Sequence, residues 1–187
     1  NQVNEVSVVP TAGGEPRVLT TAIDRCVYQS RWMPDGRAIL TGGNDGTRVS
    51  LWIQPLAGNA RRLDLGDVNP SWSFWIDANV GPAGAIAFTG SEPHRPTELY
   101  YLASPDAAPR RLTSFNDAVA GRLLGAVEHI EWKSADGFTE DGVLTFPPDF
   151  VASRHYPLVL LIHGGPGAAS TTSFSPVTQA FAARGWV

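Results

Sequence analysis

The stretch that decides the fold is Tyr156-Pro157-Leu158-Val159-Leu160-Leu161-Ile162-His163-Gly164-Gly165-Pro166-Gly167. Five consecutive apolar residues, Leu158 to Ile162, follow a proline and run straight into a glycine-rich loop. A run this short and continuous has the form of a β-strand buried on both faces. It is far below the ~20 residues needed to cross a bilayer. Downstream, Ser175 is a good N-cap, and Pro176 suits the first helical position, where no N–H is needed. The spacing predicts a helix from Pro176 with Val177, Ala180 and Phe181 on one face, stopped by Gly185. Trp186-Val187 then reads as the opening of another strand, so the order is that of a β-α-β unit.

Working outward, Val127-Glu128-His129-Ile130-Glu131-Trp132 alternates as a half-buried strand does. Ser134-Ala135-Asp136-Gly137 offers a turn, and Gly142-Val143-Leu144-Thr145-Phe146 is a second strand stopped by Pro147-Pro148. Residues 114–125 carry no strong alternation and read as a linker between two parts, 1–113 and 126–187.

The first part repeats itself. Pro16-Arg17-Val18-Leu19-Thr20 returns loosely as Ala60-Arg61-Arg62-Leu63-Asp64 and closely as Pro109-Arg110-Arg111-Leu112-Thr113, with leucine spacings of 44 and 49 residues. Between these marks the order of signals recurs. Arg31-Trp32-Met33-Pro34-Asp35-Gly36 is followed by Ala38-Ile39-Leu40, and Ser71-Trp72-Ser73-Phe74-Trp75 by Pro82-Ala83-Gly84 and Ala85-Ile86-Ala87-Phe88. A further strand-like run closes each unit, Arg48 to Ile53 in one and Glu98 to Leu102 in the other. A period of 40–50 residues with about four strands is the arithmetic of β-propeller blades, with a generic β-sandwich as the alternative. The tryptophans recur at strand positions, which favours packing between blades over a sugar platform. Pro34-Asp35-Gly36 and Asn44-Asp45-Gly46 read as turns rather than cation ligands. Arg61-Arg62 and Arg110-Arg111 read as solvated or paired strand edges.

Composition bounds the partners. Fourteen basic against 18 acidic side chains give a net charge of −4, which argues against a phosphate-backbone ligand. With 43% hydrophobic residues and a mean hydropathy of −0.09, the chain has the make-up of a soluble globular protein. The single cysteine, Cys26, excludes an internal disulfide framework and a Cys-rich zinc site, and does not choose between cytoplasm and an exported location. His94, His129 and His155 lack ligand spacing, so no metal site is expected. Gly165 to Ser170 half-matches a dinucleotide fingerprint, but a serine replaces the third glycine or alanine and Pro166 removes a donor. Neither membrane nor cofactor is implied. The only methionine is Met33, and the β-α-β unit stops partway, so the sequence reads as a fragment at both ends.

Three stretches carry a family resemblance: Pro96-Thr97-Glu98-Leu99-Tyr100-Tyr101-Leu102 with Pro109 to Thr113, Glu128 to Gly137, and Tyr156 to Pro166 continued by Phe181-Ala182-Ala183-Arg184-Gly185-Trp186. They resemble the prolyl oligopeptidase family, in its acylaminoacyl-peptidase and dipeptidyl-aminopeptidase branch. The resemblance implies propeller blades, all-β and incomplete, in residues 1–113, and the N-terminal part of an α/β-hydrolase domain in residues 126–187. It implies a serine-type peptidase that cleaves short peptides through an acyl-serine intermediate, with no cofactor and homo-oligomers possible. An esterase on the same sheet and a non-catalytic propeller scaffold with a decayed hydrolase part are the alternatives.

The family's nucleophile stands on a Gly-x-Ser-x-Gly elbow, which this sequence lacks; Ser170 and Ser173 have no flanking glycines. No catalytic residue is therefore expected in this chain: Ser, Asp and His are expected after Val187, and the chain alone is expected to be inactive. By the same resemblance, Gly165 supplies an oxyanion-hole N–H, supported by His163, Gly164 and Pro166, with the His163 ring as a hydrogen-bonding loop anchor. Gly165→Pro would delete that donor and Gly165→Ala would keep it. The contact between the two parts is expected to be small.

Overall fold

The computed structural model describes residues 4–72, 75–165 and 167–187. Ser73 and Phe74 of the Ser71–Trp75 run, and Pro166 of the glycine loop, lie outside the described residues. A short antiparallel pair, β1 (Ser7–Val8) and β2 (Arg17–Val18), comes first. The first sheet follows in chain order: β3 (Val27–Trp32), β4 (Ala38–Asp45), β5 (Arg48–Pro55) and β6 (Arg61–Arg62), each antiparallel to the one before. The second sheet places β7 (Asn69–Pro70) and β8 (Ala78–Val80) against β9 (Ile86–Glu92), then β10 (Arg95–Leu102) and β11 (Arg110–Arg111). Helix α1 (Asp117–Ala120) leads to a hairpin of β12 (Val127–Lys133) and β13 (Thr139–Thr145), and α2 (Pro176–Ala182) comes last.

The repeat marks fall at equivalent places. Arg61 and Arg62 pair with Ile53 and Trp52, and Arg110 and Arg111 pair with Tyr101 and Tyr100. Each mark is thus the short outermost strand of its sheet. These arginines are paired edges: Arg62 meets Asp45 at 3.2 Å, Arg61 meets Asp106 at 3.0 Å and Arg111 meets Asp117 at 2.7 Å. Exposed pairs of this kind contribute at most about 1 kcal/mol each. The Pro-Asp-Gly turn closes through Gly36 N–H to the Met33 carbonyl at 2.9 Å, and Asp45 pairs with Arg48 across the two-residue loop Gly46-Thr47.

The core lies between the two sheets. Leu40, Val49, Leu51 and Leu63 from the first meet Ile76, Ile86, Phe88, Tyr100 and Leu102 from the second. Strand alternation puts these side chains on the facing surfaces. Polar seams run beside them: the Asn69 amide oxygen accepts from Val49 N–H at 3.0 Å, and the Gln29 side chain donates to the Ala78 carbonyl at 2.9 Å. Half-buried Trp72 meets Tyr28 edge-on at 5.5 Å, as inter-sheet packing requires, whereas Trp52, though buried, alternates with the core residue Leu51 and lies on the other face of its sheet. Trp32 and Trp75 depart from that expectation, being 55% and 61% exposed. For Trp32 the reason is its place on the edge strand β3, which pairs with β4 alone.

Residues 114–125 are anchored rather than slack. The buried Glu98 carboxylate on β10 accepts from the Thr113 hydroxyl, from Phe115 N–H at 3.2 Å and from Asn116 N–H at 2.7 Å. Burial pushes this carboxyl up, but the three donors outweigh it and hold it below the ordinary glutamate value. Asp117 then receives both Arg95 and Arg111 at 2.7 Å.

The second part confirms one local reading and corrects two. The Ser175 hydroxyl caps α2 by accepting from Thr178 N–H at 3.3 Å, with Pro176 in the first turn. At the other end Trp186 N–H reaches the Phe181 carbonyl at 3.2 Å and Gly185 N–H the Ala182 carbonyl at 2.9 Å. Gly185 has φ +79°, and the Phe181 and Trp186 rings stack at 5.6 Å. That is a Schellman motif with its apolar contact. The buried side chains of α2 are Gln179 and Ala182, however, while Val177 is exposed. The helix turns toward Gly125 and β13, so its packed face is set by that neighbour rather than by its most apolar residues.

The second correction concerns Leu158–Ile162. It is not buried on both faces: Leu158, Leu160, Leu161 and Ile162 are all at least half exposed. Only one edge finds a partner among the described residues. Val187 N–H donates to the Pro157 carbonyl at 2.9 Å, and Val159 N–H donates to the Val187 carbonyl at 2.8 Å. This is the slanted pattern of a parallel pair centred on Leu158 and Val187. Neither Leu158–Ile162 nor Trp186-Val187 forms a regular strand, so this single pairing is all that the structure has of the expected β-α-β unit, and the run's faces lack cover. No helix among the described residues is long and apolar enough to cross a membrane.

Candidate active site

The glycine loop leaves the Leu158–Ile162 run and returns along the ends of the two sheets to α2. Its first limb stands clear. His163, Gly164 and Gly165 are exposed, and a Cβ added to Gly164 or Gly165 would touch nothing within 4 Å. The His163 ring makes no hydrogen bond among the described residues, so the anchoring role expected of it has no bond to rest on here. Gly165 has φ +71°, the left-handed region that disfavours any side chain. Its N–H makes no hydrogen bond among the described residues and remains available to an acceptor from outside. This backbone bears on the substitutions that would test it. Proline cannot reach a φ of +71° at all, and alanine there costs about 1–2 kcal/mol.

The second limb is held at several points. Gly167 presents its carbonyl to the Asn44 side-chain amide at 2.8 Å and to the Tyr28 hydroxyl at 3.5 Å. Burial pushes the Tyr28 phenol up, and Cys26 adds to it, so the hydroxyl keeps its proton at neutral pH. Thr172 N–H donates to the Thr47 carbonyl at 2.9 Å, and the buried Asn69 amide donates to the Thr172 hydroxyl at 3.1 Å. Phe174 N–H reaches the Ser91 hydroxyl at 3.2 Å. Ser170 is exposed, and Ser173 accepts from the Thr171 hydroxyl at 3.0 Å. An open cavity of about 1070 Å³ lies between this loop and the first sheet, with Tyr28, Asn44, Leu161, His163 and Ser170 on its wall.

Contact between the two parts is thus broader than expected, and it is polar. Besides these bonds, the tips of equivalent hairpins contribute to it. In the first sheet Thr47 shares a 2.8 Å hydrogen bond with His129 Nδ1, whose Nε2 lies 3.3 Å from the Glu131 carboxylate. In the second sheet, His94 at the β9–β10 turn donates from Nε2 to the Gly125 carbonyl at 3.1 Å. Gly125 is also gripped by the buried Gln179 amide, which accepts from its N–H at 2.8 Å and donates to its carbonyl at 3.0 Å. A Cβ on Gly125 would sit 1.9 Å from the Phe146 carbonyl oxygen, which is why glycine stands there. Sequence reasoning singled out neither Tyr28, Asn69 nor Gln179. It took Asn44 for a turn residue.

Chemically, the exposed limb offers a backbone N–H donor just past the C-terminal end of the Leu158–Ile162 run, beside a cavity and followed by a fixed limb. Ligands of open α/β sheets sit at that end of the strands.

No family model matches the sequence. Curated relatives do. Dipeptidyl-peptidase 5 of Porphyromonas gingivalis is 25% identical over 168 residues, 89% of this chain and 24% of that protein. The uncharacterized peptidase YuxL of Bacillus subtilis is 32% identical over 158 residues, 83% of this chain and 23% of its own length. Among solved structures, the Pyrococcus horikoshii acylaminoacyl peptidase superposes with a TM-score of 0.73 at 22% identity, over 97% of this chain and 27% of that one. At that identity the superposition speaks for the fold. The chain spans about a quarter of the length of the curated relatives it matches. The three stretches that carried the resemblance, these relatives and the shared fold agree, and the chain belongs to the prolyl oligopeptidase family of peptidases.

Proposed function

We propose that this chain is the junction of a serine-type peptidase: its two antiparallel sheets are propeller blades, and residues 126–187 open an α/β-hydrolase domain whose loop supplies the Gly165 N–H to the oxyanion. Two features support the blade reading over a sandwich. Each sheet is a meander whose main strands follow chain order, and the repeat marks occupy equivalent outer strands. Sandwich sheets instead exchange strands through Greek-key connections. The observation that supports the hydrolase reading is the parallel register of Leu158 with Val187 across α2, as expected of a β-α-β unit with the glycine loop at the end where α/β enzymes bind their ligands.

On this reading the nucleophilic serine, with its aspartate and histidine, lies beyond residue 187. The serine hydroxyl attacks the peptide carbonyl while the histidine takes its proton. Negative charge develops on the carbonyl oxygen, and Gly165 N–H, with the N–H of the residue after the serine, stabilises it. Collapse expels the amine and leaves an acyl-serine, which water hydrolyses. His163 and Gly164 shape the approach to the donor, and Pro166 is assigned the task of fixing the loop. The substrates are short peptides, because blades over the site exclude folded chains. The relatives named for dipeptidyl and acylaminoacyl cleavage support that class.

The test uses the whole protein, a fluorophosphonate probe, and aminoacyl and N-acyl-aminoacyl anilides. Labelling of one serine outside residues 1–187, with turnover of an anilide, is expected. Labelling of Ser170 or Ser173, or no labelling and no turnover, contradicts the reading. Hydrolysis of esters alone would make the protein an esterase.

A further inference from the structure

The Gly167 carbonyl is, among the described residues, the point nearest in sequence to Gly165 at which another part of the chain holds this loop. Among the described residues, His163, Gly164 and Gly165 have no such tether, and on the strand side the nearest is the bond from Val159 to Val187. The holding groups come from the first sheet, more than a hundred residues away in sequence. Asn44 stands opposite Val49, next to the tip of the β4–β5 hairpin, on a strand paired on both edges. Its amide makes one side-chain hydrogen bond among the described residues, at 2.8 Å to Gly167. Tyr28 closes over the same spot so tightly that a Cβ on Gly167 would lie 2.6 Å from its hydroxyl.

We propose that Asn44, assisted by Tyr28, is a positioning residue for acyl transfer: it fixes the Gly167 carbonyl and so aims the Gly165 N–H two residues upstream. The inference rests on the Gly165 reading above. Only two residues separate the held carbonyl from the donor, so anchoring that carbonyl narrows the directions the donor can take, whereas an untethered glycine loop samples many. A donor acts on the oxyanion only when it is fixed before the charge appears, and a rigid strand is the better support for such a group. The first sheet would then do more than restrict access, because it would complete the site.

The experiment uses the whole protein and three substitutions. Asn44→Asp keeps the shape and deletes the N–H donor, Asn44→Ala removes the side chain, and Tyr28→Phe removes the weaker bond. For Asn44→Asp, kcat should fall about tenfold with KM within about twofold, since misplacing a catalytic group costs rate rather than ground-state binding. Affinity for a peptide boronic acid, which mimics the tetrahedral adduct, should fall by the same factor, and affinity for a non-reacting peptide should not. Tyr28→Phe should show a smaller loss of the same kind. In a semisynthetic protein whose Gly165 N–H is replaced by an ester oxygen, Asn44→Asp should cost nothing further. Thermal melts identify any variant that fails to fold, and Asn44→Asp with Tyr28→Phe decide the matter if Asn44→Ala does.

The outcomes separate the two ideas. If the ester variant is slow while folded Asn44→Asp keeps its kcat, the positioning role is overturned and the Gly165 reading stands. If Asn44→Asp loses its tenfold in the ester background too, Asn44 acts elsewhere and the role is again overturned. If the ester variant itself keeps its kcat, both ideas fall.

Discussion

Glu98 shows how one side chain fixes a junction. Its buried carboxylate takes three donors from residues 113–116, and these hold it ionised against the cost of burial. Because the folded group is held below its unfolded value of about 4.3, its contribution is fully present above that pH. The contribution is lost as the pH falls through the lower, folded value. Glu98→Gln should therefore lower stability at pH 7 and flatten the acid limb of a urea-unfolding series run from pH 6 to pH 3. An unchanged acid limb would show that Glu98 does not govern it. Gly185 is a second single-residue hinge: at φ +79° it turns α2 back, so Gly185→Ala should cost about 1 kcal/mol, read from a thermal melt. Both residues stand in stretches the sequence had marked, yet only Gly185 was legible in its role. A left-handed stop after a helix is local chemistry, while the donors to Glu98 depend on how the chain doubles back.

At the scale of elements, what could be read from sequence was what neighbours in the chain decide. The Pro-Asp-Gly turn, the β12–β13 hairpin, the Ser175 cap and the Schellman stop all follow from contacts within a few residues. The packed face of α2 was misread because it is chosen by Gly125, 54 residues away, through the Gln179 amide. Gln179→Leu should therefore be costly for an ostensibly hydrophobic gain. It strands the N–H of Gly125 in a buried place, and about 2–3 kcal/mol should be lost in chemical unfolding. A loss below about 0.5 kcal/mol would mean that water replaces the amide. The same limit of range explains Asn44 and Gly167, 123 residues apart, which no local pattern could have brought together.

For the whole molecule, the unsatisfied feature is the run from Leu158 to Ile162, paired along one edge at a single position and with every side chain but that of Val159 half exposed or more. Its sequence read as buried because in the proposed sheet it would be; the described residues supply only Val187. The 187-residue chain alone should bind a hydrophobic dye and associate with rising concentration, and replacing Leu160 and Ile162 with lysine should suppress both. A dye-silent monomer would contradict this. The proposed roles of the two sheets, the anchored junction and the tethered loop all bear on one donor, and the account is tested most directly there. In the whole protein, exchanging the Gly165 N–H for an ester oxygen leaves the left-handed backbone in place, which neither proline nor alanine does. The measurement is kcat and KM on the best anilide substrate. The account predicts a fall in kcat of about 10²–10³ with KM nearly unchanged; a folded ester variant with undiminished kcat would contradict it.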